Sequence, residues 1–294
     1  MTGTRRARPL LGTLVEIAIE DDLPSADSMQ LIDRAFAAVA RVQALMSFHN
    51  PLSELSRINR EAWLRTVSVS DETWQVLTAA QQLSEASDGL FDITVAPALE
   101  CAGFLPRHAD HLPASSHGGW RDVELLPGQQ VRLARRVRLD LGGIAKGFAV
   151  DQAIAQLRDA GVVSGSVNAG GDLRVLGNPT HTLHLRHPSL PTQLLPVTTT
   201  HAAAATSAGY FQHRQWAGRL CCPIVHPGTR LLCDARRSVT VFADQCLIAD
   251  ALTKILYADP ERGSRVLEQF QARAVMLEPV THSGECHVFD SAAA

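Results

Sequence analysis

From residue 165 to the C-terminus the chain is a series of short apolar segments of strand length: Gly165 to Val167, Leu173 to Leu176, Leu183 to Leu185, Leu194 to Thr199, Ser238 to Phe242, Ala274 to Leu277 and His287 to Phe289. Helical segments are predicted among them at Ile248 to Tyr257 and Pro260 to Phe270. A doubly wound sheet needs a helix after nearly every strand, because parallel neighbours are joined by crossovers. Strands that follow one another directly pair antiparallel instead. The predicted class is therefore α+β, with mixed or antiparallel sheets flanked by helices. No repeat with a period of 20 to 50 residues is visible, which sets aside solenoids and propellers.

The first half adds the helices. Met29, Ile32, Phe36, Val39, Val42 and Met46 recur at spacings of three and four, the mark of one buried helical face, with Asp27 or Ser28 as its cap. A polar stretch, Ser47 to Asn59, leads to a second helix opened by Ser70-Asp71-Glu72 and closed at Asp88-Gly89, where glycine allows the left-handed turn that ends helices. Residues 101–119, rich in Pro, Gly, His and Ser, read as a surface loop. Strands are predicted over Asp122 to Leu126 and Val131 to Leu141, joined at Pro127-Gly128, followed by a helix that runs to Asp159 and stops at Gly161. At the start, Arg5-Arg6 precede an apolar run that Glu16 interrupts and no small-residue cleavage site follows, so Leu11 to Ile19 reads as a first strand rather than an export signal. No apolar run approaches the length of a membrane span. The expected location is the cytoplasm.

Composition bounds the function. With 294 residues, 46% of them hydrophobic and 19% charged, the chain can bury a sizeable core. One domain over residues 1–294 is expected, or two intimate lobes with the site between them. Lys and Arg total 27 against 30 Asp and Glu, so no basic excess draws the chain to nucleic acid. The six cysteines, Cys101, Cys221, Cys222, Cys233, Cys246 and Cys286, form no C-x-x-C pair, which argues against a zinc site or a disulfide framework; Cys221 and Cys222 should alternate across a strand. His181, His184 and His187 cannot share an ion along one strand, since His184 faces away from the other two, which lie about 20 Å apart. His108 and His111 fall in the polar loop and are expected to be solvated.

Three stretches can carry chemistry. Leu139-Asp140-Leu141-Gly142-Gly143-Ile144-Ala145-Lys146-Gly147-Phe148-Ala149-Val150-Asp151 is a strand that ends in an acid and turns through glycines into a helix. Such a turn lets a ligand approach the backbone and aims unpaired N–H groups at an anion, which suits a phosphate ester; an ordinary tight turn gives the same pattern. It is neither a P-loop nor the dinucleotide G-x-G-x-x-G. Asn168-Ala169-Gly170-Gly171-Asp172 lies between two apolar strands and is either a hairpin turn or a close backbone approach to a ring. Asp250, Thr253 and Lys254 share one helix face, where an acid and a hydroxyl offer hard oxygens to Mg²⁺. A plain Asp–Lys helix pair is the alternative, worth about 0.3 kcal/mol.

Taken in order, these pieces resemble the ApbE-type flavin transferases, the FAD:protein FMN transferases. The resemblance spans Leu11 to Leu277 and rests on Leu11-Gly12-Thr13; Met46-Ser47 with Ser53-Glu54-Leu55-Ser56-Arg57-Ile58-Asn59; Asp88-Gly89-Leu90-Phe91-Asp92-Ile93-Thr94-Val95; Asp140 to Asp151 with Asn168 to Asp172; Ala205-Thr206-Ser207; and Ser238-Val239-Thr240-Val241 with Ala249-Asp250-Ala251-Leu252. It implies an ApbE-like, T-fold-related architecture. It also implies an enzyme that binds FAD, cleaves its pyrophosphate with Mg²⁺ assistance, and attaches FMN through a phosphoester to a Thr or Ser of a target protein, releasing AMP. By the same resemblance Leu11, Thr13, His49, Leu90, Phe91, Asp92, Asp140, Lys146, Gly170, Gly171 and Ile224 fall at flavin-nucleotide positions. Gly143, Asp250 and Thr253 fall at the metal.

This sequence departs from the family pattern in places. The usual His-Ile-Ile-Asp-Pro-x-Thr-Gly reads Pro223-Ile224-Val225-His226-Pro227-Gly228-Thr229-Arg230, so a proline that exchanges no proton replaces a histidine, and His226 replaces an acid. Lys254 stands where a threonine usually follows the metal-binding Asp by four residues. Ala208 replaces a glycine, and His49 an aromatic that often stacks on flavin. One expectation has Asp250, Lys254 and His226 as the catalytic groups, with Lys254 adding charge toward the phosphates and His226 serving as a displaced acid–base group. A second has Lys254 occupying the metal's place in a protein that binds FAD or FMN without transferring it. A third is a non-catalytic assembly component. Replacing Asp250 by alanine is expected to spare the fold, as befits a ligand in a surface pocket.

Overall fold

The computed structural model describes residues 3–108, 118–177, 180–188, 190, 192–209, 212–279 and 286–291. A hairpin of β1 (Thr4–Leu10) and β2 (Thr13–Ile19) leads to helices α1 (Ser25–Met46) and α2 (Glu54–Glu61), a short β3 (Val67–Ser68) and α3 (Asp71–Ala86). After a 3-10 turn at Ile93–Val95 come α4 (Ala96–Cys101), β4 (Val123–Leu126), β5 (Gln130–Leu133) and α5 (Ala145–Asp159). Strands then follow in series: β6 (Gly165–Ala169), β7 (Asp172–Leu176), β8 (His181–Arg186), β9 (Leu194–Thr199), β10 (Ala203–Ala208), β11 (Arg214–Trp216), β12 (Arg219–Val225), β13 (Leu232–Asp234) and β14 (Ser238–Ala243). Helices α6 (Cys246–Ala258) and α7 (Pro260–Gln269) precede β15 (Arg273–Pro279) and β16 (Cys286–Asp290).

The main sheet has eight strands in the order β1-β2-β6-β7-β10-β14-β15-β16, each antiparallel to its neighbours, as expected of strands in series. Small sheets of β3-β5-β4, β11-β12-β13 and β8-β9 surround it. One face of the main sheet packs on α1, α5 and α6, with α5 in contact with both other helices. On the other, Leu185 and Val197 of the β8–β9 hairpin join Ala204, Phe242, Val275 and Leu277 in a second, smaller core. Alternate residues of β10 and β14 thus serve two cores, which is why both read as nearly continuous apolar runs.

Several boundaries differ from expectation. α1 begins at Ser25, behind Pro24 and without a side-chain cap, and Met29 is exposed while the rest of its predicted stripe is buried. The first strand splits: Leu11 and Gly12, both at positive φ, form a two-residue turn that folds Thr4–Leu10 back as the sheet's edge strand. The polar stretch after α1 contains α2, capped by the Ser53 hydroxyl and burying Leu55 and Ile58. β5 stops at Leu133, and Leu139 is held instead by Asn59 of α2, whose amide donates to the Leu139 carbonyl (2.9 Å) and accepts from its N–H (2.7 Å). Residues 109–117, including His111, lie outside the described set. His108 is half-buried, and its Nε2 bonds the Phe48 carbonyl oxygen (2.8 Å).

Candidate active site

The N-terminal ends of α5 and α6 meet at the glycine-rich motif. A Cβ on Gly147 would overlap the Cys246 carbonyl, so only glycine lets the two helices come this close. Asp151, one turn further along α5, accepts the N–H groups of Cys246 (3.0 Å) and Leu247 (2.9 Å) and thereby caps α6, while Arg174 holds it from β7 (2.6 Å). This docking brings Asp250, one turn into α6, against the start of α5, where its Oδ2 accepts the Gly147 N–H (3.1 Å). The Gly142–Gly143 bend and the carboxylate at 250 therefore belong to one site.

Two ion pairs fill it. Lys254 Nζ pairs with Asp250 Oδ1, and Lys146 Nζ with Asp172 Oδ2. Asp250 and Asp172 are fully buried, and Asp172 Oδ1 has no hydrogen-bond partner. The aliphatic stem of Lys254 lies along Gly143, where an added Cβ would be 3.4 Å from Cγ and 3.5 Å from Cε. Burial opposes the charge on Asp250, but Lys254 and then Lys146 overcome it and hold that carboxyl below its ordinary range. For Asp172, burial and the neighbouring Asp250 charge win over the two lysines and push its pKa up. Burial alone would lower Lys146; Asp172 and Asp250 together raise it. At the mouth, Asp140 Oδ1 accepts the Gly142 N–H (3.2 Å), and burial raises this acid despite that bond and the nearby charges of His49 and Lys254.

Two of the residues expected at the flavin nucleotide, Thr13 and Gly170, are in direct contact. Any Cβ at Gly170 would overlap the Thr13 hydroxyl, so the β1–β2 and β6–β7 turns form one rim. The Asp140 N–H donates to the Ile93 carbonyl (2.8 Å), which joins the segment after Asp92 to the glycine bend. Leu90, Phe91 and Asp92 are buried, the first two in the main core, and His49 is exposed. Ile224 is buried in β12. His226 sits in the turn between β12 and β13, with Nδ1 accepting the Thr229 N–H (3.2 Å), so that ring nitrogen is committed to the turn.

Two participants escaped sequence reasoning. Asp172 closes the second glycine motif, and its place immediately after Gly170-Gly171 at the start of a strand was the available signal. Arg230 had none. It adopts φ 58° and reaches Asp92 Oδ2 (2.9 Å), Thr94 Oγ1 (3.3 Å) and the Gly118 carbonyl (2.8 Å), tying the β12–β13 turn to the Asp92 segment.

The donors expected for Mg²⁺ do not suit that ion as folded. The Thr253 hydroxyl is buried, donates to the Asp250 carbonyl (2.6 Å) and bonds Ser207 Oγ (2.7 Å) across to β10. Asp250 Oδ1 already carries an ammonium. A divalent ion on that oxygen would sit about 4 Å from Lys254 Nζ, a repulsion of about 8 kcal/mol at an effective dielectric near 20. Lys146 and Lys254 pair with Asp172 and Asp250, so a cation would have to displace an ammonium from either carboxylate; Asp140 at the mouth adds a third acid beside Lys254. Among the described residues no group of three His, Cys, Asp or Glu side chains is placed to hold a metal. Cys101, Cys221, Cys222, Cys233 and Cys246 are free thiols, and Cys221 and Cys222 serve different cores, as their alternation in β12 requires.

This fold is shared with solved structures of ApbE proteins. The crystal structure of the ApbE protein from Thermotoga maritima superposes with a TM-score of 0.84 at 24% identity over 97% of this chain and 96% of that one. The flavin transferase ApbE from Vibrio cholerae gives a TM-score of 0.81 at 25% identity, covering 99% and 98%. A FAD:protein FMN transferase of Vibrio cholerae is 28% identical over 285 residues, 92% of this chain and 85% of that protein. The ApbE family model matches residues 11–277. The chain belongs to the ApbE family.

Proposed function

We propose that the protein transfers FMN from FAD to a threonine or serine hydroxyl of a target protein. The observation that supports this best is the convergence of the Gly142–Gly143 bend, the positive end of α5 and the ammonium groups of Lys146 and Lys254 at one cluster. Phosphoryl-group transfer needs positioning and charge neutralisation more than covalent help from the protein. In the proposed step the acceptor oxygen bonds the phosphorus of the FMN half. The bond from that phosphorus to the bridging oxygen breaks, and AMP leaves with the bridging oxygen, while the hydroxyl proton passes to water. Glycine at 142 and 143 lets the Lys254 stem and the diphosphate share the bend, and the α5 dipole and the lysines supply positive charge to it. Thr13, Gly170 and Gly171 border the nucleotide, and exposed His49 offers a ring to the flavin.

The family resemblance also carries a Mg²⁺ requirement, which Asp250 and Thr253 do not suit as folded. Residues from Leu11 to Lys254 contribute to this one site, and we infer that residues 1–294 act as a single domain. The test is incubation with FAD and a target bearing an acceptor threonine. A covalent flavin mass increment on the target, with stoichiometric AMP, is expected. Binding of FAD with neither product would reduce the protein to a flavin carrier.

A further inference from the structure

Lys254 lies where a cation is needed and where a free cation is hard to place. Its ammonium pairs with the fully buried Asp250, and its stem is seated along Gly143, so the group is fixed at both ends. The side chain is 19% exposed. Gly147 holds the second Asp250 oxygen, and Ser207 together with the Asp250 carbonyl holds Thr253 away from the carboxylate. Lys146 on Asp172 repeats the arrangement next door. Each lysine is paired with one buried carboxylate, and an incoming diphosphate supplies negative charge that the two ammonium groups can share.

We infer that the Lys254 ammonium is the resident cation of this site, a tethered point charge that neutralises the FAD diphosphate together with Lys146 and makes nucleotide binding and FMN transfer independent of a divalent metal. This rests on the transferase reading for the transfer step alone; the metal and nucleotide binding that it concerns are measurable without turnover. An ammonium carries half the charge of Mg²⁺ but costs no capture from solution. Its pairing with Asp250 orients it before FAD arrives, and release of that pair toward phosphate exchanges one charge-assisted contact for another.

The test uses Mn²⁺ as the metal probe, alone with the purified protein, and FAD as the nucleotide. Electron paramagnetic resonance of Mn²⁺ is expected to show free ion only with the parent protein, and a bound signal with Lys254→Thr, which frees Asp250. FAD affinity, read from flavin fluorescence quenching, is expected to be the same with EDTA as with excess Mg²⁺ for the parent. In Lys254→Met in EDTA it should fall about tenfold or more, the loss of one charge-assisted contact. Transfer, where seen, should persist in EDTA. A site-bound Mn²⁺ in the parent that Asp250→Asn abolishes would overturn the inference, as would FAD affinity or transfer in the parent falling about tenfold on chelation. Should either lysine variant misfold, the parent's Mn²⁺ spectrum and chelation data decide alone. Absence of transfer under every condition would count against the transferase reading, while the metal and FAD measurements still judge Lys254.

Discussion

At the scale of single residues, burial governs what Asp250 contributes. The side chain has no exposed surface, with one oxygen on an ammonium and the other on a backbone N–H. A ligand in a surface pocket could be lost with the fold spared, as its motif suggests; Asp250 is instead wholly buried. Asp250→Ala strands the Lys254 ammonium and the Gly147 N–H, and is expected to cost about 3 kcal/mol in urea unfolding, beyond any effect on activity. Asp250→Asn keeps an oxygen for Gly147 and should cost less. Arg230 makes the second case. It stands where the resembling family carries glycine and holds a left-handed φ that a non-glycine residue adopts only when other contacts offset the strain. Its contacts to Asp92, Thr94 and Gly118 are that offset. Arg230→Gly relieves the backbone yet unpairs Asp92, and a net loss of about 1 to 2 kcal/mol is expected. An unchanged unfolding midpoint would show the clamp to be energetically neutral.

At the scale of elements, the site depends on how closely α5 and α6 approach. Gly147 leaves room for the α6 backbone, and Asp151 satisfies the first N–H groups of α6 in place of a capping side chain of its own. Gly147→Ala puts a methyl group into backbone atoms that cannot rotate away, so the helices must separate. A destabilisation of about 2 kcal/mol or more is expected, together with loss of FAD binding, because the shift carries Asp250 and Lys254 away from the glycine bend. A variant that keeps parental FAD affinity would show that the spacing is not what assembles the site. β10 illustrates packing overriding propensity. Its Ala-Ala-Ala-Thr-Ser-Ala sequence has little intrinsic strand preference, yet it sits between β7 and β14 with α6 laid on it, where small side chains allow the helix to come near.

At the scale of the whole molecule, residues from both chain halves line one cluster, so a bound nucleotide should stabilise the fold globally rather than locally. FAD at about one hundred times its dissociation constant is expected to add about 2.7 kcal/mol and raise the thermal midpoint by several degrees. An unmoved midpoint at saturation would argue that the site opens independently of the rest. Strands β10, β11 and β13 were not legible in the chain, but β6 to β9 and β14 to β16, the main helices and the glycine and acid motifs were, because period and turn chemistry are local properties. So was the joining of the Gly142–Gly143 bend to Asp250, through the family resemblance. The strand Thr4–Leu10, helix α2 inside a polar stretch, the fixing of Leu139 by Asn59 and the clamp of Arg230 on Asp92 were not, since each depends on a partner distant in sequence. The chain alone specifies an α+β fold with mixed or antiparallel sheets, a phosphate-suited glycine bend and an acid-bearing helix. Long-range packing is what turns the ammonium four residues past that acid onto it and the neighbouring hydroxyl away, because side-chain direction on a buried helix follows the surfaces packed against it.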